Sequence, residues 1–98
     1  MKDAGIQADG AGRYRMSGAA TVPTVAALRT AGLNAFKAGS GDITVDLGAL
    51  TRVDGAGLAL LIDWLAWARS AGRSMRFTSL PESLRALARL CDVEPFLV

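Results

Sequence analysis

Few side chains in this sequence can do covalent or acid–base chemistry, and their identities narrow what that chemistry is. Histidine, the usual general base near neutral pH and the commonest metal ligand, does not occur. The single cysteine, Cys91, cannot supply the ligand set of a zinc site. It also falls on the apolar side of a helical pattern with Leu84, Leu87 and Ala88, where a free thiol behaves as a small hydrophobe. No cationic neighbour is evident to lower its pKa and make it a nucleophile. Two carboxylates, Asp46 and Asp54, lie near the end of a strand pattern and in the loop after it. Such a pair can hold Mg²⁺ beside phosphates or divide acid and base roles. Helix capping is the simpler reading for an Asp just before a helical run. Gly55-Ala56-Gly57 follows a strand and opens a helix, where backbone N–H groups favour anions. The third glycine of a dinucleotide fingerprint would fall on Leu60, and no Lys-Ser or Lys-Thr pair completes a P-loop. With no base, nucleophile or metal set beside it, the segment reads as non-catalytic and without a cofactor. Its glycines serve close backbone approach, within the domain or to a partner.

The elements that must position this segment can be read from the periodicity. Residues 1–12 are rich in Gly, Ala and Asp and predict a flexible start or a first short strand, with Ile6 to Ala8 able to form a hairpin with the next strand. Tyr14, Met16 and Ala20 alternate with polar or small neighbours, which predicts a strand over Arg13 to Thr21 with a bend at Gly18. Thr21 or Thr24 then caps a helix with Pro23 in its first turn, and Val25, Leu28, Gly32, Leu33 and Phe36 form its apolar face. Ile43 to Leu47 is a β-branched strand, followed by a loop through Leu50 to Val53. A helix runs from about Gly55 to Ala71, a strand from Arg73 to Thr78, and a last helix opens at Ser79 or Pro81, with Pro95 as a stop in the tail. Strands alternating with helices imply parallel pairing through right-handed crossovers, hence an α/β fold. The helix after Asp54 is apolar nearly all round and must be enclosed on most sides. Trp64 and Trp67 project about 60° apart on it. Trp67 shares a face with Asp63 and Ser70 and is read as an aromatic anchor for a partner.

At 98 residues the chain fits one domain. Its 51% hydrophobic and 20% charged composition supports a packed core rather than disorder. The net charge of +2 is small and the arginines are scattered along the sequence, so no nucleic-acid footprint is present. The lone cysteine fits a reducing compartment, and the first residues lack a signal-peptide layout. The longest apolar stretch, from Gly55 on to Ala68, is broken by Asp63 and is shorter than the roughly 20 residues of a membrane span. A cytoplasmic location without direct membrane insertion is expected, at the inner face of the inner membrane only through a partner.

The strand Ile43-Thr44-Val45-Asp46-Leu47, the run Arg52-Val53-Asp54-Gly55-Ala56-Gly57-Leu58-Ala59-Leu60-Leu61 and the late helix Leu84 to Leu90 together resemble the STAS family. The resemblance extends from about Arg13 to the end and is nearest to the MlaB type, the small cytosolic subunit of Mla phospholipid transporters. It implies a single STAS-like domain over residues 13–98, with a mixed, partly parallel sheet of four or five strands and three or four helices. It also implies docking on the ATPase of an ABC transporter, or, as in the family's anti-sigma factor antagonists, on an anti-sigma factor. The docking residues would be Arg52, Val53, Asp54, Gly55, Ala56, Gly57 and Leu58, with Trp67. In the antagonists the residue after the Asp is a serine or threonine that a kinase phosphorylates, adding roughly 1.5 to 2 negative charges. This sequence has Gly55 there, so no phosphorylation is expected at that position. Thr51, four residues upstream, is a poor substitute. Either the partner is bound constitutively or regulation lies elsewhere.

Overall fold

The computed structural model describes residues 4–97. The chain forms β1 (Gly5–Ala8), β2 (Arg13–Ala20), α1 (Val25–Ala38), β3 (Ile43–Val53), α2 (Gly55–Ser70), β4 (Met75–Thr78), α3 (Glu82–Leu90) and a short α4 (Glu94–Leu97). The segment expected as a flexible start or first strand carries β1, hairpinned to β2 with Ile6 opposite Met16, and residues 1–3 of it lie outside the described residues.

The four strands lie in the order β1-β2-β3-β4, with β1 antiparallel to β2 and the other neighbours parallel. The parallel pairs are those that the alternation of strands and helices implied, and the mixed, partly parallel four-stranded sheet is the one that the resemblance implied. Parallel connections of this kind cross back right-handed as a rule. Because the strands are added in sequence order, α1, α2 and α3 all fall on one face, where α2 packs between the other two. Alternation does the rest. Tyr14, Met16 and Ala20 of β2, Ile43, Val45 and Leu47 of β3, and Phe77 of β4 point under the helices and meet Leu28, Phe36, Leu61, Trp64 and Leu84. Arg13, Arg15, Thr44, Asp46 and Arg76 occupy the alternate positions on the uncovered face. The same connectivity brings the starts of α1 and α2 together, at the ends of β2 and β3.

Several expectations need correction. The loop expected over Leu50 to Val53 is strand: β3 continues for 11 residues, and its pairing with β2 shifts register between Arg15 and Ser17 and between Gly18 and Ala19. Those irregularities break the alternation around Gly48-Ala49 and at Thr51, so the sequence pattern ends before the strand does. Pro23 lies ahead of α1 rather than inside it. The Thr24 hydroxyl does not cap the helix. It accepts from the Thr21 N–H (3.0 Å) and donates to the Ala19 carbonyl (2.6 Å), closing the β2–α1 turn. Pro95 does not stop a helix but stands in the first turn of α4, where its missing N–H is harmless. Cys91 is exposed: it is the C-cap of α3, one position past the helix whose Leu84 and Ala88 are buried, and the apolar face is covered no further than Ala88.

Candidate functional site

Asp54 is the junction of the site. It follows β3 in extended conformation (φ −110°, ψ −170°) and is the N-cap of α2, its own carbonyl accepting the first helical bond from Leu58 (3.0 Å). One carboxylate oxygen, Oδ1, accepts from the Gly57 N–H at 3.1 Å, as a capping aspartate does. The other, Oδ2, accepts from the Val22 N–H at 3.1 Å, across 32 residues of sequence. Asp54 therefore fixes the start of α2 and ties it to the β2–α1 turn. The Gly57 N–H chiefly holds the Asp54 carboxyl below its ordinary pKa; desolvation opposes this, and Val22, Ala56 and the charge of Arg52 add to it.

A carboxylate depressed in the folded state contributes stability that is complete above the ordinary carboxylate range and is lost as pH falls through its lowered folded value. Asp54→Ala is accordingly expected to lower Tm by roughly 4–8 °C at neutral pH, the loss expected for a removed N-cap acceptor in a domain of this size. The gap from the parent should narrow in circular-dichroism melts as pH falls below the ordinary carboxylate range, and should close once pH is below the lowered folded value of Asp54, where the carboxyl is protonated in both states. A gap that persists unchanged there would assign the loss to something other than the carboxylate.

Gly57 is buried against the end of β2. A Cβ on it would run into the Ala20 carbonyl oxygen and stand 2.9 Å from Val53 Cγ1. The glycine lets α2 start flush against the sheet. Gly55, by contrast, has nothing within 4 Å of a built Cβ and faces solvent. The expected docking segment thus divides. Arg52 and Gly55 are exposed, Val53, Asp54 and Ala56 are half-buried, and Gly57 and Leu58 are buried within the domain. Beside Asp54 the structure adds Val22, which the sequence reading did not single out. Its side chain is 69% exposed although it is large and apolar. The signal was available in Thr21-Val22-Pro23-Thr24, a turn with a valine at its tip, but nothing local says that this turn lies beside residue 54.

Trp67 is not brought to this place. It lies 12 residues beyond Gly55 on α2, about 18 Å along the helix. There it stacks on Phe36 (5.8 Å, 27°) beneath the Arg73 guanidinium (5.7 Å). Trp64 is fully enclosed, edge-on to Phe36 at 5.2 Å. Nor do the carboxylates form a metal pair. Asp46 Oδ1 is taken by the Gly48 N–H at 2.8 Å, and Asp54 is taken at both oxygens. Among the described residues no three His, Cys, Asp or Glu side chains gather as a metal set. The helix start that could have bound a phosphate already has a carboxylate on it. What the site offers is a rigid, largely neutral surface made of two joined turns, Val22 on one and Gly55 on the other.

Among the described residues no helix is long and apolar enough to cross a membrane. No protein of curated function matches the chain in sequence. Solved structures share its fold at low identity. The chain is similar to a sulfate transporter family protein from Wolinella succinogenes, with a TM-score of 0.71 at 10% identity over 90% of this chain and 71% of that one. It is also similar to the anti-sigma factor antagonist SpoIIAA in its unphosphorylated form, with a TM-score of 0.65 at 12% identity over 87% of this chain and 80% of that one. The family model described as the MlaB STAS domain matches residues 6–98. On this match, and on the sheet and helix order that carries it, the chain belongs to the MlaB-type STAS-domain family.

Proposed function

We propose that this chain is a non-catalytic accessory subunit that docks on the ATPase of an ABC-type phospholipid transporter and supports its assembly or activity. The reading rests on one observation above the others: the MlaB-type match runs over residues 6–98 and so includes the Asp54 junction, where both carboxylate oxygens accept backbone N–H groups. The contact surface is Val22, Arg52, Gly55 and Ala59, all exposed around the start of α2. Asp54 and Gly57 shape it from beneath. Two turns already joined by hydrogen bonds lose little entropy on binding, which favours affinity from a small area. Gly55 supplies close approach and no hydroxyl, so docking is constitutive at this position. That absence weighs against an anti-sigma factor antagonist cycle, which depends on phosphorylation there.

Tagged protein expressed in its native cell is expected to bring down an ABC ATPase. Gly55→Glu should abolish that capture while leaving Tm within about 2–4 °C of the parent, since exposed substitutions usually change stability by no more than about 0.5 kcal/mol. Capture of an anti-sigma factor kinase instead, or an ATPase retained by Gly55→Glu, would refute the assignment of partner or surface respectively.

A further inference from the structure

β4 is the last strand of the sheet, and its outer side pairs with nothing among the described residues. The parallel ladder sets which groups are left over. The Ile43 N–H bonds the Ser74 carbonyl (2.8 Å), and Ile43 is registered on Met75. In that pattern Arg76 spends its backbone on β3, while Met75 and Phe77 turn both N–H and C=O outward. Two clefts run along this edge, of about 650 and 310 Å³, and both are lined by Met75 and Phe96. The larger is lined by Ile62 and Leu65 of α2 and by Arg69 and Arg73, and among the described residues no carboxylate lines either cleft. Phe96 is 64% exposed there, on α4.

From these features we infer that the β4 edge is a second docking site, which takes an extended segment of a partner protein whose apolar and acidic residues alternate. An added strand would meet the free groups of Met75 and Phe77. Its side chains on the helix face would enter the apolar cleft against Ile62, Leu65, Met75 and Phe96. Those on the opposite face would stand beside Arg76, where a carboxylate makes a favourable cross-strand pair. A carboxylate at the segment's end would meet Arg69, which is exposed, while the Arg73 guanidinium is spent on the Phe36 and Gly41 carbonyls. A second copy of this chain fits poorly, since pairing β4 with itself would set Arg76 against Arg76. The site is separate from the Asp54 surface: Arg69 stands 15 residues past Asp54, about 22 Å along α2.

The test is an NMR titration of the ¹⁵N-labelled full chain with a ten-residue peptide of alternating valine and glutamate, alongside its valine–lysine counterpart. The acidic peptide should shift the Met75 and Phe77 amides and slow their hydrogen exchange, and the basic one should do neither. Arg69→Glu combined with Arg76→Glu should weaken binding at least tenfold. Phe96→Ala, at an exposed position, should weaken it severalfold with the fold intact, which keeps the test sound if the double charge reversal disturbs folding. The proposal is overturned if the acidic peptide leaves both amides unmoved at millimolar concentration, or shifts the Asp54 turn instead. It is equally overturned if the variants bind as the parent does, if the two amides move with protein concentration alone, or if they respond to phosphatidylglycerol vesicles and not to the peptide.

Discussion

Gly57→Ala is expected to destabilise the domain by about 2 kcal/mol or more, against a helix-propensity gain of about 1 kcal/mol that points the other way. The sign is decided by space. The added methyl would overlap the Ala20 carbonyl oxygen, and that oxygen is held in place. It accepts the Asp54 N–H at 3.3 Å, and Ala20 is registered on Val53 at the end of the β2–β3 ladder. Relief requires α2 to lift from the sheet at its first turn, which would stretch the Gly57 and Val22 bonds to Asp54 together. A domain of this size has a total stability of roughly 5–15 kcal/mol, so the loss is a substantial part of it and corresponds to a fall in Tm of about 8–16 °C. Gly55→Ala, two residues away with open space above it, should gain a fraction of the propensity term and raise Tm slightly. Thermal melts of the two variants side by side check the argument. Equal shifts of the same sign would mean that helix propensity, and not the contact with β2, governs this turn.

The contrast between these two glycines also marks how far the sequence could be read. That the run from Asp54 to Leu58 starts a helix, and that Asp54 caps it, follows from local rules, because capping is a contact between residue i and residue i+3. The alternation of β2 and β3 and the apolar face of α1 are likewise local, and with the crossover rule they determine the sheet and the side on which the helices lie. Gly55 and Gly57 look alike in sequence. Only the approach of Ala20, 37 residues earlier, makes one indispensable and leaves the other free. Val22 is hidden from the sequence for the same reason, since its place in the site comes from a bond to a carboxylate on another loop. The polar company of Trp67 on a helical wheel points to an anchor for a partner. A wheel cannot show that Phe36 and Arg73 would sandwich it. The extra length of β3 was hidden by bulges, which shift side-chain alternation without ending the strand. The open edge of β4 is invisible to a sequence pattern altogether, because an edge is a property of strand order.

The packing of α1 on α2 sets the relation between the two turns of the site, and it turns on Gly32. A Cβ there would overlap Trp64 Cζ2 and stand 2.8 Å from Cε2 and 3.0 Å from Cη2. The indole cannot swing away easily. It is enclosed, edge-on to Phe36, which in turn meets Tyr14 edge-on at 5.1 Å, and each such aromatic pair adds to the cost of moving it. Gly32→Ala is therefore expected to lose about 1–3 kcal/mol from overpacking, less about 1 kcal/mol regained in helix propensity. The effect should be specific to the indole. In a Trp64→Phe background the smaller ring leaves room for the methyl, so the same change should cost less, with a coupling of about 0.5–3 kcal/mol in the double-mutant cycle. Urea titrations of the four proteins measure it. A coupling near zero would mean that α1 shifts freely and that Trp64 does not set the helix spacing. If the coupling is found, Gly32→Ala should also weaken ATPase capture although it lies outside the docking surface. Pushing α1 from α2 moves Val22 relative to Gly55, and a surface built from two turns is complete only while Asp54 can reach both.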